Sequence, residues 1–185
     1  MDKGFISEYN PFARESSRET VWEDLNFDPA ASGGPAVSIP DYVTINNVIY
    51  REFTSANNQL CGSNQEVPHA HKLINTLYPH CHVFLKSGES AGTTGVTFTF
   101  YWELRQSGVT TNGNVALAAT SAELNADANK VNIFDNTGFT GPTELGANLA
   151  LTIKRTAGDA GDVVVMTYGV HYELDMPGSR QVRAK

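Results

Sequence analysis

Val96-Thr97-Phe98-Thr99-Phe100-Tyr101-Trp102-Glu103-Leu104 alternates large apolar side chains with mostly polar ones. In an extended chain successive side chains point to opposite faces. Val96, Phe98, Phe100, Trp102 and Leu104 therefore share one face, with Thr97, Thr99, Tyr101 and Glu103 on the other. A helix would scatter these apolar groups around its circumference and leave no buried stripe. The stretch predicts a β-strand with one face in a core.

The same pattern recurs on both sides of this stretch. Upstream, Tyr42-Val43-Thr44-Ile45 and Val48-Ile49-Tyr50-Arg51-Glu52-Phe53 flank Asn46-Asn47, which suits a two-residue hairpin turn. A polar loop is predicted from Asn57 through Asn64, before a histidine-rich strand. Downstream come Val115 to Ala118, Val131 to Phe134, and an alternation from Leu149 to Arg155. A long strand follows from Val163 to Leu174, with Val164, Met166, Tyr168, Val170, Tyr172 and Leu174 on one face. Turn clusters are read at Ser87-Gly88-Glu89-Ser90, Thr111-Asn112-Gly113-Asn114, Asn136-Thr137-Gly138 and Gly158 to Asp162. Ser121 to Asn129 reads as a short helix or a loop. About eight strands at this spacing, without βαβ alternation, predict an all-β fold, an antiparallel jelly-roll-like β-sandwich.

Residues 1–40 read differently, as an extended N-terminal arm beside a β-sandwich domain at 41–185. They show no sustained period, yet Trp22, Leu25 and Phe27 place three large apolar groups in a short polar segment. Disordered tails are poor in such residues. The block is expected to be an interface anchor, on its own domain or a neighbour's, or a short turn covering one end of the core.

Hydrophobic content is 41% and charged content only 18%, which fits a sheet surface rich in Thr, Asn and Gly. A net charge of −7 argues against nucleic acid and anionic membranes as partners, since both require basic surfaces. The start, Met1-Asp2-Lys3-Gly4, has no apolar leader run. Folding in a reducing cytosol is expected, with Cys61 and Cys81 as free buried thiols.

Four of the five histidines form two His-x-His pairs, His69/His71 and His80/His82. On a strand such pairs share a face and can reach one ion, so a metal set of His69, His71, His80 and His82 is one reading. His-x-His strands from three subunits meeting on a threefold axis are a second. Histidines packed on aromatics or bonded to backbone carbonyls are a third, and catalysis or pH sensing a fourth. A cupin-like metalloenzyme would carry a glutamate four or five positions after the second pair. Lys86 and Ser87 stand there instead, and Glu89 comes too late. Phosphate-loop and zinc-protease motifs are missing from the chain. Glu103 and Glu173 enter as catalytic carboxylates only by elimination. No enzymatic activity and no cofactor are expected, apart from a structural ion at the histidine pairs.

Trp22-Glu23-Asp24-Leu25, the approach to Val67-Pro68-His69, Tyr78-Pro79-His80-Cys81-His82, the Phe/Trp-rich strand, and Tyr168 to Asp175 before Gly178-Ser179-Arg180 occur in that order. This series resembles a group of tailed-bacteriophage virion proteins. They carry Trp-Asp-Asp-Leu near the start, a central His-Pro-His-x-His-Trp, and a terminal strand followed by Gly-Ser. Tyr78 stands where that group has its first histidine, and Val83 where it has tryptophan. The resemblance implies a virion structural protein made in the host cytoplasm. It would be a homotrimeric capsid decoration (cement) protein that binds the major capsid protein or other virion proteins. The alternative is a neck, tail or head-fibre component that binds a receptor or carbohydrate through exposed aromatics, with Tyr101, Tyr168 and Tyr172 as candidate platforms.

Overall fold

The computed structural model describes residues 22–29, 39–55, 58–69, 71–126, 130–134 and 137–174. In chain order the elements are β1 (Trp22–Phe27), β2 (Asp41–Ile45), β3 (Val48–Phe53), β4 (Leu60–Glu66), β5 (Thr76–Leu85), β6 (Val96–Gln106), β7 (Val109–Ala119), α1 (Ser121–Ala126), β8 (Val131–Phe134), β9 (Phe139–Thr140), β10 (Asn148–Ala157) and β11 (Val163–Glu173). They form two antiparallel sheets. One has four strands in the order β4-β10-β6-β7; the other has seven, along the path β2-β3-β11-β5-β8, with β1 paired to β11 and β9 to β5. The protein is an all-β antiparallel sandwich of jelly-roll-like form.

The core lies between the two sheets, and β6 supplies it as its alternation requires. Val96, Phe98 and Phe100 are fully buried and Leu104 nearly so. Phe98 meets Phe53 of the opposite sheet edge to face at 5.3 Å, and Phe100 meets Tyr168 at 6.5 Å. Burial of each such ring contributes about 1.5–3 kcal/mol.

The turn at Asn46-Asn47 is present as read, and the short helix at Ser121–Ala126 forms with a cap at its start. Asn46 (φ 51°) and Asn47 (φ 65°) both take the left-handed conformation of a tight turn matched to strand twist. Thr120 and Glu123 cap α1 reciprocally. The Glu123 carboxylate accepts from the Thr120 backbone N–H at 2.7 Å, and the Glu123 N–H donates to the Thr120 hydroxyl at 3.3 Å.

Three expectations are corrected. The turn placed at Thr111-Asn112-Gly113-Asn114 lies inside β7, and the chain reverses instead at Ser107-Gly108, where Gly108 has φ 71°. Gly113 pairs with Trp102, and the indole lies over it so closely that a Cβ would sit 2.7 Å from Cζ2. The glycine makes room for a ring there rather than for a bend. The polar loop expected through Asn64 contains β4, an edge strand in which Cys61 is the buried apolar side chain. An edge strand has one neighbour and tolerates polar residues along its length. Finally, a bulge between Val165 and Thr167 shifts the phase of β11. Val163 and Val165 pack in the core ahead of it and Tyr168, Val170 and Tyr172 beyond it, so a single alternation from Val164 does not describe the strand.

The N-terminal boundary also moves. Trp22–Phe27 is a strand of the seven-stranded sheet, in register with Glu173 back to Tyr168. Leu25 and Phe27 are core residues, and Phe27 stacks on Tyr168 at 5.6 Å. Trp22 stays 46% exposed and meets Tyr78 edge-on at 5.5 Å. The block expected to be an arm thus anchors within its own domain, because two of its apolar groups fill the sandwich. The rest of the arm, 1–21 and 30–38, lies outside the described residues.

Candidate functional site

β5 runs between β11 and β8, and its alternation sorts the histidine motif. Cys81 and Val83 are fully buried toward the core, and no disulfide joins Cys81 to Cys61. Tyr78, His80 and His82 take the outer face of the seven-stranded sheet. The pairing register sets Gly169 opposite His80 and His171 opposite Tyr78, while β1 places Asp24 opposite His171. Three adjacent strands therefore present Asp24, His171 and His80 on one patch of the outer face.

The His80 and His171 rings are stacked at 4.0 Å with 18° between their planes. His171 Nδ1 donates a hydrogen bond to Asp24 Oδ1. One potential ligand atom from each of Asp24, His80 and His171 lies within 4.8 Å of the other two. His82 sits 5.2 Å from His80, ring to ring, and its Nδ1 donates to the Asn132 side-chain carbonyl.

His80 is the unusual member. It is 1% exposed, and neither ring nitrogen has a hydrogen-bond partner of normal geometry. Burial, reinforced by the neighbouring His171, pushes its pKa down to about 4; Asp24 and the Tyr78 backbone oppose the shift without reversing it. At neutral pH the imidazole is uncharged and one ring nitrogen carries a lone pair.

The four histidines predicted as one metal set do not come together. His69 is exposed and bonds Glu66 at 2.7 Å. His71 is buried, its Nδ1 donating to the Pro68 carbonyl at 2.9 Å and its backbone bridging to Leu174. His82 is held by Asn132, so of the four only His80 enters the cluster. Sequence reasoning missed His171 and Asp24 because they join His80 through strand pairing alone.

The carboxylates and aromatics separate similarly. Glu103 pairs with Arg105 on the four-stranded sheet, while Glu173 pairs with Lys72 at 2.8 Å on the other. They do not flank a common cleft. Tyr168 and Tyr172 are buried and offer no platform, whereas Tyr101 is 42% exposed. Tyr101 lines a shallow cleft of about 410 Å³ with Trp102, Glu103, Asn112, Asn114 and Thr152.

The β2–β3 hairpin closes the far edge of the seven-stranded sheet. Val48 joins Ile45, Tyr50, Phe84 and Met166 around an open cleft of about 640 Å³ on the outer face. Tyr42 (61%), Ile49 (55%) and Val48 (48%) are among the most exposed large apolar side chains described.

No family model matches the chain, and no curated protein matches it. Solved structures with a similar strand arrangement include the xylan-binding module CBM15, at 11% identity and TM-score 0.44, covering 85% of this chain and 99% of that one. Xylanase10C from Cellvibrio japonicus, in complex with xylopentaose, aligns at 10% identity and TM-score 0.43 over 84% of this chain and 29% of that one. A non-crystalline cellulose-specific module, CBM28, aligns at 12% identity and TM-score 0.39, over 72% and 79%. At these values the similarity concerns the sandwich and carries no function across.

Proposed function

We propose that the chain is a virion structural protein of a tailed bacteriophage, a homotrimeric decoration protein that docks on the assembled head. The observation that carries the docking part of this reading is the β2–β3 hairpin. β2 is an edge strand of its sheet, and the hairpin exposes Tyr42, Val48 and Ile49, of which Val48 lines the cleft on the outer face. Exposed apolar groups gathered at one edge mark a protein-binding surface, and an edge strand offers unpaired backbone groups as well. The assignment to a virion rests on the order of the Trp-Glu-Asp-Leu block, the His80-Cys81-His82 strand and the C-terminal Gly-Ser. The major capsid protein is the proposed partner; a neck or fibre position is the alternative.

The double variant Val48→Asp/Ile49→Asp tests the surface. Both side chains are exposed, so the variant is expected to melt like the parent and to lose co-sedimentation with heads that lack the protein. Full binding by the folded variant would remove the hairpin from the interface. Absence of the protein from purified particles would remove the virion assignment, and a copy number matching a single vertex would favour the neck or fibre.

The Tyr101 cleft supports a second reading, in which the outer face of the four-stranded sheet binds a glycan. An exposed aromatic ring beside Glu103, Asn112 and Asn114 pairs a stacking surface with polar groups. Glycan-array binding that is lost in Tyr101→Ala is the expected result; an empty array would eliminate it.

A further inference from the structure

We propose that Asp24, His80 and His171 form a binding site for a divalent transition metal of the zinc or cobalt type, and that the ion fastens β1 to the sheet. This inference goes beyond the virion reading and does not depend on it, since an isolated chain suffices to test it.

Three observations converge on the same atoms. First, the ligand atoms lie within 4.8 Å of one another, and bonds of about 2.0–2.1 Å to a common centre need only modest side-chain rotation from there. Second, His80 is buried, and neither ring nitrogen has a hydrogen-bond partner of normal geometry. A buried polar group without a partner is costly, and a bound cation satisfies the lone pair that the protein leaves open. Third, two imidazoles and one carboxylate form a borderline donor set that suits zinc, cobalt or nickel and suits magnesium or calcium poorly.

The site is also accessible on one side. The side chains of His171 and Asp24 are 37% and 40% exposed, so ion and solvent reach the cluster past them while His80 forms its floor. His171 already directs Nδ1 at Asp24. On binding, the ion replaces the proton at His171 Nδ1, the coordinating imidazole carries its one N–H at Nε2 instead, and the ring turns out of its stack on His80. Water completes the coordination. His82 stays outside the set because Asn132 holds its Nδ1.

The ligands come from β1, β11 and β5, three neighbouring strands. Among the described residues β1 pairs with β11, and its contact with β5 is the edge-on packing of Trp22 on Tyr78. An ion shared by Asp24, His171 and His80 adds a direct tie from β1 to β5, so metal and the docking of the first strand are coupled.

The full chain, stripped with chelator, is titrated with Zn(II) by calorimetry and with Co(II) by visible absorption. The expected result is one ion per chain, a tetrahedral Co(II) spectrum and a higher melting temperature. His171→Gln and Asp24→Asn, both at half-exposed positions, are each expected to weaken Zn(II) binding by about 100-fold or more and to abolish the thermal shift. Their metal-free melting should match that of the stripped parent, which keeps the test valid even if His80→Gln fails to fold. His69→Gln should bind as the parent does. Failure of the parent to bind either ion stoichiometrically would overturn the proposal. So would undiminished binding by both His171→Gln and Asp24→Asn.

Discussion

Replacing Arg155 by leucine is expected to cost about 3–5 kcal/mol, a large share of the stability of an ordinary domain. Arg155 lies on β10 and is fully buried. Its Nη1 donates to the carbonyls of Phe53, Thr54 and Gly161 at 3.1, 2.8 and 2.8 Å, and its Nη2 donates to that of Ala160 at 2.5 Å. The guanidinium thus ties the end of β3, in one sheet, to the β10–β11 connection and to β10 in the other. Burial pulls its pKa down, with Asp162 opposing, but an arginine keeps its charge in a protein interior. Leucine supplies apolar volume and no donor, so four carbonyls lose their partner, and each buried orphan costs about 1–3 kcal/mol before relaxation. Urea denaturation of Arg155→Leu measures the effect. A midpoint equal to the parent's would show that water or neighbouring groups satisfy those carbonyls.

Phe27→Ala should destabilise by a similar about 3–5 kcal/mol, and removing residues 1–40 should prevent folding altogether. Phe27 is fully buried against Tyr168, and Leu25 is 7% exposed in the same core. The close fit of β1 on β11 adds to this. A Cβ on Gly169 would stand 2.3 Å from the Leu25 carbonyl oxygen, so the two backbones pack with no side chain between them. Deleting β1 would open that groove and uncover Tyr168, Val170 and Tyr172. Circular dichroism and thermal melting of the 41–185 fragment against the full chain decide the matter. A fragment that melts cooperatively near the parent temperature would make β1 an accessory strand.

Much of this architecture is written locally. The alternation in β6 and β5 names the buried faces because a strand points successive side chains to opposite sides, whatever it pairs with. Asn46-Asn47 is likewise read from a few adjacent residues. Local reading fails where polarity or turn residues have a tertiary cause. β4 is polar because it is an edge; Gly113 is a glycine because Trp102 covers it; Val164 to Met166 break phase because β11 bulges. Trp22, Leu25 and Phe27 were legible as an anchor, but what they anchor to was not.

The histidines draw the same line more sharply. By itself, the sequence determined that His80 and His82 share a face of a strand whose opposite face holds Cys81 and Val83, because that follows from a two-residue period within one segment. Only the tertiary structure decided that His80 is buried, that His69 and His71 stand apart from it, and that His171 and Asp24 stand beside it. Those neighbours arrive through the antiparallel registers of β5, β11 and β1. Such registers are set by the packing of whole sheets, and nothing in the spacing of residues along the chain encodes them directly.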